Sequence, residues 1–260
     1  MIVAGIDIGS LSAEAVIMND AGKILAFSIL PTGANSESAA EKAYVEALEH
    51  AGLHAEDIFR IIATGYGRIS VPFASRAITE ITCHALGARR LVPDAATVID
   101  IGGQDSKVIR LSPDGRVEDF AMNDKCAAGT GRFLEVMARS LESRVEMLGE
   151  LSTHSTQEVK ISSTCTVFAE SEVVGLVARG VPREDIIKAL HATVAERVYG
   201  MVRRIAAKEP YVMTGGVAKN QGVVRALEER LGTSVTIPDE PQIVGALGAA
   251  IAALEIGGMV

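Results

Sequence analysis

The sequence repeats one pattern of strands and turns in its two halves. Each copy opens with an apolar stretch that ends in Asp-Ile-Gly, with the aspartate at Asp7 in the first and Asp100 in the second. Two more β-rich stretches follow in each copy, separated by a turn that contains Gly22 or Gly115. The number of residues between the aspartate and the turn glycine is the same in both copies. A chance similarity of composition would not preserve this spacing. Such internal repetition predicts two homologous lobes.

Helical periodicity follows each three-stranded unit, so the sequence predicts an α/β protein in which each lobe is a mixed β-sheet with flanking helices. The predicted strands are 2–8, 13–18, 23–30, 97–101, 107–111, 116–122, 211–214 and 235–237. The predicted helices are 36–51, 76–91, 127–141, 166–179, 183–207 and 242–254. We expect residues 1–92 to form the first lobe, completed by the C-terminal segment 242–260, and residues 93–241 to form the second.

The two Asp-Ile-Gly loops have the features of a phosphate site. Glycine permits close backbone approach to an anion, and successive amides in a turn form an anion-binding nest. Asp7 and Asp100 are placed to hold Mg²⁺ through water, because Mg²⁺ keeps most of its hydration shell. One such motif is most often an ordinary turn. Two copies in register, with a third glycine-rich loop at 214–217 for the nucleoside, predict a nucleotide site between the lobes.

Charge and hydropathy argue against nucleic acid and membrane as partners. The net charge is −8, and the basic pairs Arg89-Arg90 and Arg203-Arg204 are isolated, which disfavours nucleic-acid binding. The longest apolar stretch, 243–254, is too short to span a bilayer. No signal-peptide pattern is visible, so we expect a cytoplasmic protein.

The chain has three cysteines, which is an odd number, and they are widely spaced. Both features argue against a disulfide framework. Cys126 and Cys165 each precede a predicted helix, where the helix dipole and free amides favour a thiolate. Two thiolates are too few for a four-iron cluster, which normally takes four, but a symmetric dimer would supply the rest. From the residues alone, Cys126 and Cys165 can be either metal ligands or structural or redox thiols.

The third cysteine, Cys83, forms a dipeptide with His84. Adjacent side chains on a helix point in directions about 100° apart, so the pair does not make a metal site by itself. We therefore expect a buried thiol beside a partly exposed imidazole, and place neither residue in the functional site.

The three glycine-rich loops resemble the motifs of the superfamily that contains actin, sugar kinases and heat-shock ATPases. Residues 7–12 match its first phosphate motif, 100–105 the second and 214–217 the adenosine motif. The resemblance implies actin-like, ribonuclease H-like lobes that close around ATP or ADP with Mg²⁺. It implies catalytic roles for Asp7, Asp100, Gln104 and Asp105. It implies nucleotide contacts from Gly9, Ser10, Leu11, Ser12, Gly102, Gly103, Gln104, Thr214, Gly215, Gly216, Val217 and Asn220.

Four longer segments, 64–68, 100–107, 123–132 and 163–172, look like the activator component of 2-hydroxyacyl-CoA dehydratases. This resemblance covers essentially the whole chain. It implies an ATPase coupled to one-electron transfer, in a homodimer that holds one bridging 4Fe-4S cluster through Cys126 and Cys165 of each subunit. It also implies a ferredoxin or flavodoxin as electron donor and the dehydratase as acceptor.

The first phosphate loop departs from the pattern of that family. The family commonly has Asp-x-Gly-Ser-Thr with a lysine three residues later, whereas Leu11 and Glu14 stand at those positions here. A carboxylate repels phosphate, so Glu14 is given no phosphate-binding role.

Other functions share this fold. An ATPase subunit of benzoyl-CoA reductase, or a reductase of a double-cubane cluster protein, would pass electrons to a different acceptor. A small-molecule kinase or a nucleotide sensor would contain no cluster. Iron content separates the last two from the electron donors.

Overall fold

The computed structural model of the chain describes residues 1–162 and 165–255. The cysteine segment 163–172 therefore begins outside the described residues, and the predicted C-terminal segment 242–260 ends outside them.

The described residues contain strands in both halves of the chain and helices after each group of strands. The strands are β1 (Ile2–Ile8), β2 (Ser12–Asn19), β3 (Ile24–Pro31), β4 (Arg60–Thr64), β5 (Arg76–Ala77), β6 (Thr97–Ile101), β7 (Ser106–Leu111), β8 (Val117–Asn123), β9 (Tyr211–Thr214) and β10 (Val235–Thr236). The helices are α1 (Ser36–Ala51), α2 (Glu80–Leu91), α3 (Gly131–Ser140), α4 (Leu148–Leu151), α5 (Thr166–Ala178), α6 (Arg183–Arg204), α7 (Gln221–Leu231) and α8 (Val244–Glu255).

The strands form two five-stranded sheets with the same topology. The order is β3-β2-β1-β4-β5 in the first sheet and β10-β9-β6-β7-β8 in the second. The central strand of the first, β1, pairs antiparallel with β2 and parallel with β4. The equivalent strand of the second, β6, pairs antiparallel with β7 and parallel with β9. The prediction of two duplicated mixed sheets with flanking helices is confirmed.

Two helices, α2 and α8, form a shared layer between the sheets. Cys83 of α2 packs with α8 against apolar side chains of the first sheet. On the other side of α2, Ala85 and Ala88 pack with Val244 of α8 against the second sheet. The outer face of the first sheet is covered by α1, and that of the second by α3, α5, α6 and α7. The division into lobes at residue 92 stays a prediction.

The predicted helix 76–91 is wrong in its first turn. Arg76 and Ala77 form a short strand that pairs parallel with β4. The helix starts only after Thr79, whose hydroxyl accepts a hydrogen bond from the amide of Thr82. This N-cap satisfies an amide that has no partner inside the helix, so it fixes where α2 begins.

The predicted helix 127–141 also begins too early. Gly129 has φ 89°, in the left-handed region that interrupts a helix, and α3 begins at Gly131. Cys126 therefore lies in a loop, and not immediately before the first turn of a helix as the sequence predicts. Strand β4 and helix α7 have no counterpart in the sequence-based assignment. No helix in the described ranges is both long and apolar enough to cross a membrane.

Candidate functional site

The two Asp-Ile-Gly loops close with the same turn. The amide of Gly9 donates to the carbonyl of Ser12 at 2.9 Å, and the amide of Gly102 donates to the carbonyl of Asp105 at 3.0 Å. The loops face each other, and a Cβ on Gly103 would overlap with the side chain of Leu11 in the opposite loop. The space for a ligand therefore lies beside this contact, between the ends of β1 and β6.

A cavity of about 600 Å³ opens at this place. It is lined by almost every residue for which the sequence predicted a nucleotide or catalytic role. These are Asp7, Gly9, Ser10, Leu11, Ser12, Asp100, Gly102, Gly103, Gln104, Asp105, Gly215, Gly216, Val217 and Asn220. Thr214 is the exception among the predicted residues, because its buried hydroxyl points at Asp100 and donates a hydrogen bond to it.

Asp7 is buried at the end of β1. A Cβ at Gly65 or at Gly245 would overlap with its carboxylate oxygens, so only glycine leaves room for this side chain. Burial, followed by the negative charge of Glu80, raises the pKa of Asp7 to about 7. This carboxyl can therefore take up or release a proton near neutral pH.

Asp100, at the end of β6, lies in surroundings that favour its charged form, unlike those of Asp7. Its carboxylate accepts hydrogen bonds from Thr214 Oγ1 at 2.9 Å and from Lys107 Nζ at 3.1 Å. Burial alone would raise the pKa of Asp100, but His84, Lys107 and the Thr214 hydroxyl together lower it to about 2. Asp100 is therefore ionised at any physiological pH.

The strand pairing explains this asymmetry. Asp7 stands directly opposite Glu14, and Asp100 stands directly opposite Lys107 at the equivalent position of the second repeat. Burial and then the charge of Asp7 raise the pKa of Glu14 well above its ordinary value. Burial alone would lower the pKa of Lys107, but Asp100, Asp105 and Glu80 raise it.

Glu80, His84 and Lys107 also line the cavity, although no sequence motif indicates a role for them. The expectation that His84 is partly exposed is wrong, because α2 lies between two sheets and the imidazole is 5% exposed. The expectation that the Cys83 thiol is buried is confirmed, and burial raises its pKa to about 12. One signal could have found two of these residues, since Glu80 and His84 are four apart and share one face of a helix.

The third loop follows β9. Asn220 caps α7, and its side-chain oxygen accepts hydrogen bonds from the amides of Gly222 and Val223. Its amide group contacts Nε2 of the buried His191 on α6 at 3.3 Å. The cap and this contact fix Asn220 at the edge of the cavity, where Gly216 and Val217 also lie.

Cys126 belongs to a loop held by Asn123. The Asn123 amide donates to the carbonyl of Cys126 at 2.8 Å and to that of Ala128 at 3.2 Å. Arg197 of α6 contacts the Asn123 side-chain oxygen at 3.4 Å. The loop is therefore fixed by side-chain hydrogen bonds, while the Cys126 side chain remains partly exposed.

The cysteine loop is joined directly to the second phosphate loop. The amides of Gly131 and Arg132, which open α3, donate to the carbonyls of Gly102 and Gly103 at 2.9 and 2.8 Å. Helix α3 in turn contacts α5, where the Ser140 hydroxyl donates to Glu170 at 3.1 Å. Exposed Cys165 is the N-cap residue of α5, and its side chain makes no capping hydrogen bond.

The residues of the site fit Mg²⁺ and an iron–sulfur cluster in different ways. Among residues 1–162 and 165–255, no three His, Cys, Asp or Glu side chains converge into a metal site. Mg²⁺ is usually bound through one or two carboxylates and its own waters, which the cavity aspartates can provide. A cluster with four thiolate ligands would need more than Cys126 and Cys165 of one chain, so the donor set fits a cluster shared by two chains.

Two buried aspartates on facing glycine-rich loops, between duplicated sheets, define a two-lobed nucleotide-binding ATPase. The chain belongs to the BadF/BadG/BcrA/BcrD ATPase family, which matches it over residues 4–253.

Three named or solved proteins illustrate what the chain is similar to. The chain is 51% identical over 255 residues to the activator of lactoyl-CoA dehydratase of Anaerotignum propionicum, covering 98% of each. It matches the activator of the 2-hydroxyisocaproyl-CoA dehydratase from Clostridium difficile with bound ADPNP at TM-score 0.94 and 44% identity, covering 99% of this chain and 96% of that one. It matches component A of the Acidaminococcus fermentans (R)-2-hydroxyglutaryl-CoA dehydratase at TM-score 0.96 and 46% identity, covering 99% of both.

Proposed function

We propose that this chain is the ATP-hydrolysing activator of a 2-hydroxyacyl-CoA dehydratase, to which it passes low-potential electrons one at a time. The names of its similar proteins support the partner, and the bound ADPNP of one of them supports the nucleotide. In this proposal the electron comes from a reduced ferredoxin or flavodoxin, and ATP hydrolysis drives its transfer to the dehydratase.

The observation that carries the proposal is the pair of backbone hydrogen bonds between α3 and the second phosphate loop. Gly131 and Arg132 donate to carbonyls of the loop that follows Asp100, and Cys126 lies only a few residues before them. These bonds support a coupling in which a change in this loop on nucleotide binding or hydrolysis is passed to the start of α3 and to the cysteine loop before it. Such coupling shifts an equilibrium only if ATP binds the two arrangements with different affinity.

In the ATPase reaction, the amides of the two phosphate loops hold the nucleotide phosphates. Asp7 and Asp100 would hold Mg²⁺, which would supply positive charge beside the phosphates, and Gln104 and Asp105 orient the attacking water. Gly216, Val217 and Asn220 contact the nucleoside. The lobes that close are those predicted from the sequence, 1–92 with 242–260 and 93–241.

The cysteines of two chains hold the redox group. Cys126 and Cys165 of each subunit of a homodimer bind one 4Fe-4S cluster, which supplies a one-electron couple when bound. Cys165 is the N-cap residue of helix α5, so the first amides of this helix, which have no partner inside it, would be available to a group held there. The contact between Ser140 and Glu170 carries movement of α3 to α5.

Iron analysis tests this function. The protein is purified without oxygen, and iron, acid-labile sulfide and mass are measured together with ATP hydrolysis. We expect about four iron atoms and four sulfides per dimer. Cys126→Ser and Cys165→Ser should lose both while retaining nucleotide binding. Cys83→Ala is the matched control, because its thiol is buried against the first sheet.

An iron-free wild-type protein that still hydrolyses ATP after anaerobic reconstitution would overturn electron transfer and favour a kinase or sensor. Full iron content in either serine variant would overturn the ligand assignment instead. Electron transfer to the dehydratase is then measured as dehydration of a 2-hydroxyacyl-CoA with ATP and reduced ferredoxin or flavodoxin present.

A further inference from the structure

His84 lies at the floor of the nucleotide cavity, where the two repeats meet. It is carried by α2, one of the two helices between the sheets. The imidazole therefore has Asp7, from the first sheet, on one side, and Asp100, from the second, on the other.

The two ring nitrogens face different partners. Nδ1 lies 3.4 Å from Thr214 Oγ1 and 3.6 Å from Asp100 Oδ1. Nε2 lies 3.9 Å from Asp7 Oδ2. The contacts on the Nδ1 side are shorter, so the imidazole is held more closely to the second repeat than to the first.

The hydrogen bonds around Asp100 determine which nitrogen carries the proton. The Thr214 hydroxyl gives its hydrogen to Asp100 Oδ1 at 2.9 Å, so Nδ1 meets only acceptor oxygens. Nδ1 therefore carries a hydrogen, which it directs at the Thr214 oxygen.

We propose that His84 is a positioning residue for ATP hydrolysis: its Nδ1–H holds the Thr214 hydroxyl, which in turn holds the Asp100 carboxylate. Asp100 has Lys107 on its other oxygen, so the Thr214 hydroxyl and the ammonium fix the carboxylate from two sides. Hydrolysis depends on the orientation of the group that holds Mg²⁺, and small displacements of such a group are costly. The proposal rests on the cavity being an ATPase site and is independent of the cluster.

A purely structural role would have a different signature. The neighbouring Cys83 fills space against the first sheet, and its removal tests packing alone. His84 instead touches polar groups from β1, β6 and β9, with Glu80 of α2 and Lys107 of β7 lining the same cavity. Loss of positioning lowers kcat, whereas loss of packing lowers stability and leaves the ratio of kcat to KM unchanged.

Three substitutions separate the two sides of the ring. His84→Asn keeps a polar atom near the Nδ1 position, His84→Gln keeps one near Nε2, and His84→Leu keeps neither. Phosphate release from Mg²⁺-ATP is measured on cluster-free protein, with the Kd of ADP, the KM for ATP and the unfolding temperature. Cys83→Ala is the control for packing of α2.

We expect kcat to fall about 10- to 100-fold in His84→Leu and His84→Gln, with the KM for ATP within about threefold of wild type. His84→Asn should retain kcat within about fivefold, and Cys83→Ala should retain it fully. If His84→Leu does not fold, the comparison of Asn with Gln decides the question alone.

Unchanged kcat in His84→Leu or His84→Gln would overturn the proposal, as would equal losses in Asn and Gln. A loss in Cys83→Ala as large as that in His84→Leu would reduce His84 to a packing residue. Wild-type protein that binds ATP without hydrolysing it would overturn the ATPase assignment itself, together with the reaction that His84 is proposed to serve. The rate of ATP hydrolysis in these variants does not depend on iron content. A wrong cluster assignment would therefore show in the iron analysis and not in this experiment.

Discussion

Glu14 and Lys107 occupy the same position in the two repeats, each directly opposite the aspartate of its phosphate motif. An acid in one repeat and a base in the other make the cavity electrostatically asymmetric although the backbone is duplicated. Asp100 has a buried cation beside it, whereas Asp7 has a second buried carboxyl.

The first prediction concerns this second carboxyl. The pKa of Glu14 is raised, so the side chain gains its negative charge only as pH rises well above the ordinary range. Ionised Glu14 repels phosphate, and ATP affinity should therefore fall as pH rises through that pKa. Glu14→Gln, which cannot ionise, should reduce the fall, and the pH dependence that remains belongs to Asp7, whose pKa is raised to about 7. The Kd of ATP is measured from about pH 6 to 9 in both proteins.

Glu41→Gln on the exposed surface of α1 is the matched control and should keep the wild-type pH profile. Parallel profiles for wild type and Glu14→Gln would show that Glu14 does not ionise beside the phosphates.

The second prediction concerns Lys107. Its ammonium lies 2.8 Å from Asp105 and 3.1 Å from Asp100, and its side chain is 4% exposed. Lys107→Met leaves buried carboxylates without their cation, and the free energy of unfolding should fall by about 3–5 kcal/mol. Urea unfolding measures this change. Lys23→Met removes an exposed lysine and should change it by less than about 0.5 kcal/mol. Equal stability of both variants would mean that the carboxylates find another partner or a proton.

The third prediction concerns the pH dependence of stability. Burial, followed by the charge of Arg225, lowers the pKa of His191 from 6.5 to about 4. Between these values the unfolded chain binds a proton that the folded chain does not, so stability must fall as pH is lowered through this window. The contribution amounts to about 3 kcal/mol, from the size of the pKa difference.

His191→Gln cannot take up that proton, and it keeps an acceptor for the amide of Asn220. The difference in unfolding free energy between wild type and His191→Gln should therefore change with pH between 6.5 and about 4 and be constant above 6.5. A difference that is constant throughout would place the pKa of folded His191 near its ordinary value.

The fourth prediction concerns the cysteine loop. Asn123→Ala removes both donors that hold the carbonyls of Cys126 and Ala128. We expect iron to be released to a chelator faster than from wild type, with ATP hydrolysis nearly unchanged. In cluster-free protein, mass spectrometry should show faster alkylation of Cys126. Asn19→Ala, which removes a turn hydrogen bond in the first sheet, should change neither rate. An unchanged alkylation rate would mean that the backbone alone fixes the loop.

The sequence was most informative where a local pattern repeats. The register shared by Asp7 and Asp100 predicted both sheets and the facing loops, because a duplicated sequence folds into duplicated structure. Gly129 shows the limit of periodicity, since the helical pattern runs through it while its backbone conformation delays α3 to Gly131.

His84 shows a different limit. Its burial depends on α2 lying between two sheets that are distant from it along the chain, and no local pattern encodes that position. The roles of Glu80 and Lys107 likewise depend on how the two halves meet. Contacts between the repeats form only in the folded chain. The sequence therefore predicts the motifs but not the side chains that lie between them.

The position of α8 has a consequence for synthesis of the chain. One face of the first sheet, with Val3, Val16 and Ile62, is covered by Ala246, Leu247 and Ala250 of this helix. The N-terminal strands leave the ribosome long before these residues are made, so the part of that face that α8 covers stays exposed while the rest of the protein is translated. The half of the molecule that is synthesised first is therefore among the last to complete its core.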